Sequence, residues 1–224
     1  MSSKKDKHYL NLALNLAKNM EGLTGTNPSV GSVLVKNDEV ISLSSTGYNG
    51  TPHSEYSLLN KIDKRITKGS SLYVTLEPCS HYGKTPPCTN IIIDKKISRL
   101  VFGAHDIDER SSKKAKQVLK SKKVKVLNVN VPTITEFYKP YIFQRKYKQP
   151  YVVGKIACSN DFFIKSLKSK YISNTYAQSF SHYLRYKNQA ILVTYKTINE
   201  DNPSLDCRLP GLNEYSPIKF IIDK

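Results

Sequence analysis

Between Pro52 and Cys88 the chain carries an imidazole, a carboxylate two residues later and two thiols. They occur as Pro52-His53-Ser54-Glu55, an apolar run, and then Glu77-Pro78-Cys79-Ser80-His81-Tyr82-Gly83-Lys84-Thr85-Pro86-Pro87-Cys88. One neutral imidazole and two thiolates are the donor inventory of a catalytic zinc site with one coordination position left open. Any fold for this chain must therefore bring His53, Cys79 and Cys88 to a common point. A purely structural zinc site would use a fourth Cys or His from a second paired motif. None is placed to serve, because His81 lies inside the loop while Cys158 and Cys207 lie far downstream.

Zinc held this way lowers the pKa of a bound water from about 15.7 to near 7. Glu55, offset from His53, suits a carboxylate that takes a proton from that water without ligating the metal and hands it to a ring nitrogen and a departing amine. Cys79 and Cys88 each fall at or just before an expected helix start, where free backbone N–H groups favour thiolate. The expected chemistry is hydrolytic deamination.

Composition bounds the alternatives. With 39% apolar and 24% charged residues over 224 positions, the chain has the balance of a soluble globular protein large enough for a real core. No apolar run approaches the roughly 18–20 residues of a membrane span, and the Lys-rich start leads into an amphipathic pattern rather than a signal-peptide core. No membrane partner and a cytoplasmic location are expected. The four cysteines do not form a disulfide framework for a chain of this size, and a reducing compartment leaves them free for metal. The formal charge of +17 would suit nucleic acid or a phosphorylated small substrate. The lysines are scattered, with short clusters only at Lys113-Lys114 and Lys120 to Lys125, so solvated helix faces account for most of them.

Periodicity gives the order of elements. Tyr9, Ala13, Leu16, Ala17 and Met20 predict a helix over 7–21, and 32–35 with 40–43 predict a hairpin. A helix over 54–62, a strand at 72–76, a helix from Pro87-Cys88, a strand at 100–102, a helix at 112–119 and a strand at 124–129 follow. This alternation predicts an α/β fold of three layers, helices on both faces of a sheet. The polar, aromatic and basic stretch 138–149, closed by Pro150, is the best boundary, giving domains 1–146 and 147–224. Beyond it the expectations are strands at 151–157, 190–194 and 218–222 and a helix over 173–186, the start of a doubly wound α/β domain.

The pairing of His53-Ser54-Glu55 with Pro78-Cys79 resembles the cytidine-deaminase-like superfamily. The run from Thr75 to Cys88 resembles its riboflavin-biosynthesis deaminase/reductase branch, the RibD family. In most nucleoside and tRNA deaminases two residues separate the paired cysteines, whereas eight intervene here. The resemblance covers essentially the whole chain and implies deamination of 2,5-diamino-6-ribosylamino-4(3H)-pyrimidinone 5′-phosphate. It assigns zinc to His53, Cys79 and Cys88, proton transfer to Glu55, and substrate contact to Asn27 (in Asn27-Pro28-Ser29-Val30-Gly31), His81, Lys84 and Asp106. Two positions depart from the family: Thr46 stands where a His is common, and Asp108 where an Asn is common.

Gly154 to Asp161 resembles the opening of the family's dihydrofolate-reductase-like domain, with Phe162 in place of a glycine. The resemblance assigns substrate contact to Ser169, Arg185, Leu205 and Arg208, and NADPH contact to Ala157, Tyr171, Thr197 and Asp201. No Gly-x-Gly-x-x-Gly occurs between Pro150 and Lys224, so the dinucleotide phosphates have no visible provider. The family's reductase continues well past this length, and the expectation is a working deaminase with a defective or absent reductase. A homo-oligomer or a partner completing the sheet is compatible with this pattern. A nucleoside or tRNA base deaminase and a non-catalytic zinc-stabilised scaffold are the competing readings. The +17 charge favours nucleic acid, and the long Cys79–Cys88 loop and the lack of a basic stripe with interleaved aromatics oppose it.

Overall fold

The computed structural model describes residues 4–83, 85–108, 110, 114–164 and 172–223. The chain divides into two compact units, Met1–Tyr151 and Val152–Lys224. Among the described residues no helix is long and apolar enough to cross a membrane.

The first unit is built on a five-stranded sheet. Strands β1 (Gly31–Lys36) and β2 (Glu39–Ser45) form the expected hairpin, turned by Asn37 and Asp38, both at positive φ, as a tight primed turn requires. Strands β3 (Ser71–Leu76), β4 (Arg99–Ala104) and β5 (Lys125–Asn128) extend it in the order β2-β1-β3-β4-β5, with β3, β4 and β5 parallel. β3 and β4, in the middle of the sheet, are covered on both faces and mostly apolar, and Leu72, Val74, Leu100 and Val101 are fully buried. Each such side chain contributes on the order of 1.5–3 kcal/mol.

One face of the sheet packs on α1 (Lys4–Asn19) and α6 (Pro132–Phe137). Helix α1 lies so close to β1 that a Cβ on Gly31 would collide with the Ala13 carbonyl. Asp6 anchors the helix by accepting two bonds from Arg99 Nη2 at 2.9 and 2.8 Å and one from Tyr73 Oη at 3.0 Å. The other face carries α2 (Ser54–Leu59), α4 (Cys88–Asp94) and α5 (Lys114–Ser121), which gives the three layers. Helix α2 is shorter than its apolar spacing suggests. It caps at Asn60, and Asp63 starts a separate short helix α3 (Lys64–Thr67) by accepting from Arg65 N.

The stretch expected to be a boundary is helical. Helix α7 (Lys139–Tyr147) follows α6 directly, because Pro140 falls in its first turn, where no backbone N–H is needed. Tyr138, at the junction, is 1% exposed. Its hydroxyl donates to Ser29 O at 2.9 Å and lies 2.6 Å from Thr75 Oγ1, which accepts from Gly31 N. These bonds pin the loop that carries Asn27. Tyr138→Phe strands the buried Ser29 carbonyl and costs about 1–2 kcal/mol, read as a lower urea midpoint. An unchanged midpoint would show that the network does not hold the loop.

The second unit contains α8 (Thr175–Lys187), capped by the Asn174 side chain on Ala177 N, and α9 (Tyr195–Asp201). Strands β6 (Ala190–Thr194) and β7 (Ile218–Ile222) pair in parallel. Residues 151–157, expected as a strand, take none, since β-propensity alone provides no partner ladder. Phe162, where the family resemblance has a glycine, sits at φ of 66°, the left-handed region that favours glycine.

Candidate active site

The C-terminal ends of the parallel strands and the starts of α2 and α4 converge. His53 is the N-cap of α2, which places Glu55 in the first turn. Cys88 is the first residue of α4, as expected. Cys79 stands in the loop three residues after β3 and not at a helix start, because the described residues from Glu77 to Pro87, with Pro78, Pro86 and Pro87, form no helix. The ligand atoms of His53, Cys79 and Cys88 all lie within 4.8 Å of one another. His53 Nδ1 is 3.6 Å from Cys79 Sγ and 3.4 Å from Cys88 Sγ. A tetrahedral zinc with bonds of about 2.0–2.1 Å to nitrogen and about 2.3 Å to sulfur sets its ligand atoms about 3.5–3.8 Å apart. The donor set therefore fits zinc in both chemistry and spacing.

The electrostatics agree with that fit. Cys79 is pulled down to about 4, first by the Cys88 thiol that donates to it and then by His53 and the Cys88 backbone N–H, which reaches Cys79 Sγ at 3.2 Å. Cys88 is pushed up because it keeps the shared proton and is buried. A divalent metal at this point would displace that shared proton and hold both sulfurs as thiolates. His53 is raised, chiefly by its bond to Cys79. Glu55, 3% exposed, is raised by burial and then by the charge on Cys79. Its Oε2 accepts from Ser54 Oγ at 3.0 Å, and Ser54 Oγ in turn lies 2.6 Å from Ser32 Oγ.

Asn27 is half-buried, and its amide donates to Gly50 O at 3.2 Å. Gly50, at φ of 83°, packs so closely on Asn27 that a Cβ there would fall 2.5 Å from Asn27 Nδ2, so no other residue fits. Thr46 is buried and serves the backbone, accepting from Val30 N at 2.9 Å. Asp106 is buried, accepts from Tyr141 Oη at 3.0 Å and from Asp108 N at 3.1 Å, and is raised by desolvation. His81 is half-buried, and Asp108 nearby is lowered chiefly by its bonds to Arg110. Lys84 lies outside the described residues.

Sequence reasoning missed several neighbours. Tyr141 and Arg145 come from α7, which the boundary assignment set aside. The side chain of Glu77 is fully buried and meets His105 Nδ1 at 2.9 Å, while its Oε1 and Ser80 Oγ are buried without a hydrogen-bond partner. The motif Glu77-Pro78-Cys79 could have flagged Glu77. Nothing local flags His105.

In the second unit, Arg185 Nη1 donates to Asp206 O at 2.9 Å and Arg208 Nη1 to Asp206 Oδ1 at 2.9 Å. Leu205 is buried between them in sequence. Thr197 and Asp201 lie on α9, and Ala157 lies in the irregular segment before it. Ser169 and Tyr171 are outside the described residues.

The model of the cytidine and deoxycytidylate deaminase zinc-binding region matches residues 3–104, and that of the RibD C-terminal domain matches 150–224. The riboflavin biosynthesis protein RibD of Aquifex aeolicus is 35% identical over 97% of this chain and 62% of its own length. The chain is similar to RibD proteins along nearly its whole length. The Bacillus amyloliquefaciens RibD is 34% identical over 97% of the chain and 59% of its own length. The crystal structure of a diaminohydroxyphosphoribosylaminopyrimidine deaminase/5-amino-6-(5-phosphoribosylamino)uracil reductase from Thermotoga maritima superposes with a TM-score of 0.89. It is 31% identical, over 98% of this chain and 63% of that one. The chain thus spans about three fifths of the length of the RibD relatives it matches. The two matched regions account for the α/β architecture, a cytidine-deaminase-like unit followed by a RibD reductase-like unit.

Proposed function

We propose that the chain catalyses zinc-dependent hydrolytic deamination of 2,5-diamino-6-ribosylamino-4(3H)-pyrimidinone 5′-phosphate to 5-amino-6-(5-phosphoribosylamino)uracil and ammonia. The observation that carries this is the spacing of His53 Nδ1 from the two sulfurs, 3.6 and 3.4 Å, with the buried Glu55 two residues from the imidazole. The kinship with RibD proteins supports the choice of substrate.

Zinc, when bound, supplies a Lewis acid that makes water nucleophilic near neutral pH. The Glu55 carboxylate accepts a proton from the attacking water as its oxygen bonds to the amino-bearing ring carbon. Glu55 then returns that proton to the ring nitrogen and takes the second, which leaves with the amine. The carbon–nitrogen bond breaks, a carbonyl forms and ammonia departs, so water and one amine are exchanged with no oxidant. Burial raises Glu55 toward the range of a group that both takes and gives a proton. Asn27, His81, Lys84 and Asp106 hold the pyrimidine ribotide.

In the reductase-like unit the resemblance assigns Arg185, Leu205 and Arg208, with Ser169, to the ribose phosphate and Ala157, Tyr171, Thr197 and Asp201 to NADPH; deamination, not reduction, is the activity proposed for this chain. A cytoplasmic setting suits the enzyme, since Cys79, Cys88, Cys158 and Cys207 are all free thiols. The test is ammonia release by the zinc-loaded chain from the pyrimidine phosphate. Steady release is expected, and none from the wild type sinks the assignment.

A further inference from the structure

Two guanidinium groups lie near the Tyr141–Asp106 pair, and neither uses all its donors. Arg145 lies over the Tyr141 ring, 5.6 Å from its centroid, and its Nη2 reaches Thr26 O at 3.4 Å, next to Asn27. Its Nε is buried with no hydrogen-bond partner. A buried, unpaired N–H on a cation costs free energy unless a ligand meets it. Arg110 is fixed by Asp108. Nε and Nη2 bond Asp108 Oδ1 and Oδ2 at 2.9 and 2.6 Å, and Arg110 N bonds Oδ1 at 3.1 Å. Nη1 carries no hydrogen bond among the described residues.

The same local pairing occurs at Asp63–Arg65, so the pair by itself marks nothing. Position sets Asp108 apart. Its side chain is 15% exposed against 47% for Asp63, and its backbone N–H bonds Asp106. Asp108 therefore aims a guanidinium beside a residue assigned to the substrate, and its own charge is spent on Arg110.

We propose that Arg110 and Arg145, both beside Tyr141 and Asp106, together clamp the phosphate of the substrate. The clamp rests on the deaminase reading above. It also explains how acid at position 108 is compatible with an anionic substrate: Asp108 orients Arg110. Two planar guanidinium forks on one phosphate give both charge and geometry.

The experiment measures ammonia release from the pyrimidine ribotide and from its dephosphorylated riboside. The variants are Arg110→Ala, Arg145→Met, which keeps an apolar stem on Tyr141, and Arg110→Ala with Asp108→Asn. Each variant is expected to raise KM for the ribotide about 10- to 100-fold, with the loss falling on KM rather than kcat, and to leave KM for the riboside near wild type. The double variant is expected to behave as Arg110→Ala. Three results would overturn the clamp: KM for the ribotide unmoved, KM raised equally for both substrates, or wild-type KM restored by Asp108→Asn, which would make Arg110 only a neutraliser of Asp108. No ammonia from the wild type with either substrate would instead remove the deaminase reading, and the clamp with it.

Discussion

Glu55→Gln lowers kcat for ammonia release by about 10²- to 10⁴-fold, the usual contribution of a positioned proton carrier, while zinc per chain stays at the wild-type level. The amide keeps the shape of the carboxylate and can still accept from Ser54 Oγ, which lies 3.0 Å from Glu55 Oε2. It cannot take a proton from water. The metal donors His53, Cys79 and Cys88 are untouched, so metal analysis and kinetics separate proton transfer from metal loss. A second readout distinguishes a functional carboxylate from a structural one. Glu55 is buried at 3% exposure, and a buried charge with few partners destabilises a fold. Chelator-treated Glu55→Gln should therefore melt no lower than chelator-treated wild type. Full deamination by the variant would support a zinc-stabilised scaffold instead.

Cys79→Ser weakens zinc binding by more than about 100-fold, beyond the 10–100-fold typical of losing an outer-shell partner, and ammonia release falls with it. Cys79 is the sulfur held as thiolate, by the Cys88 thiol first and by His53 and the Cys88 N–H after it. A serine hydroxyl stays protonated at neutral pH and is a poor zinc donor. The calorimetric readout is independent of turnover. Zinc at about 1,000 times its dissociation constant stabilises the wild-type fold by about 4 kcal/mol, and the same zinc should leave the melting temperature of Cys79→Ser almost unmoved. Cys158→Ala is the control, because that thiol is exposed and distant in sequence from the donors. Equal zinc shifts in Cys79→Ser and wild type would exclude Cys79 from the metal site.

How much of this was readable before folding depends on the kind of constraint. The hairpin, the apolar parallel strands and helices α1 and α4 follow from local periodicity and turn chemistry, which act over a few residues. Helix α7 was hidden because its proline lies in the first turn, where it does no harm, and because Tyr141 and Ile142 are only partly buried. The segment 151–157 failed in the opposite way: its composition suits a strand, but a strand exists only when a neighbour supplies the ladder.

The candidate metal donors were legible in the sequence itself, because zinc chemistry admits few residue types. His53 and Cys88 stand at the starts of α2 and α4, with Glu55 in the first turn of α2, whereas Cys79 stands in the loop between β3 and α4. Tertiary structure decided what surrounds them. Asp106 meets Tyr141 across 35 positions and Glu77 meets His105 across 28. Arg145 reaches Thr26 across 119. No local propensity encodes such meetings, since they arise only when the sheet order and the return of α7 bring distant segments to one end of the strands. The chemistry of the site can therefore be read from the residue types between Pro52 and Cys88, whereas the fit of a particular substrate depends on long-range packing.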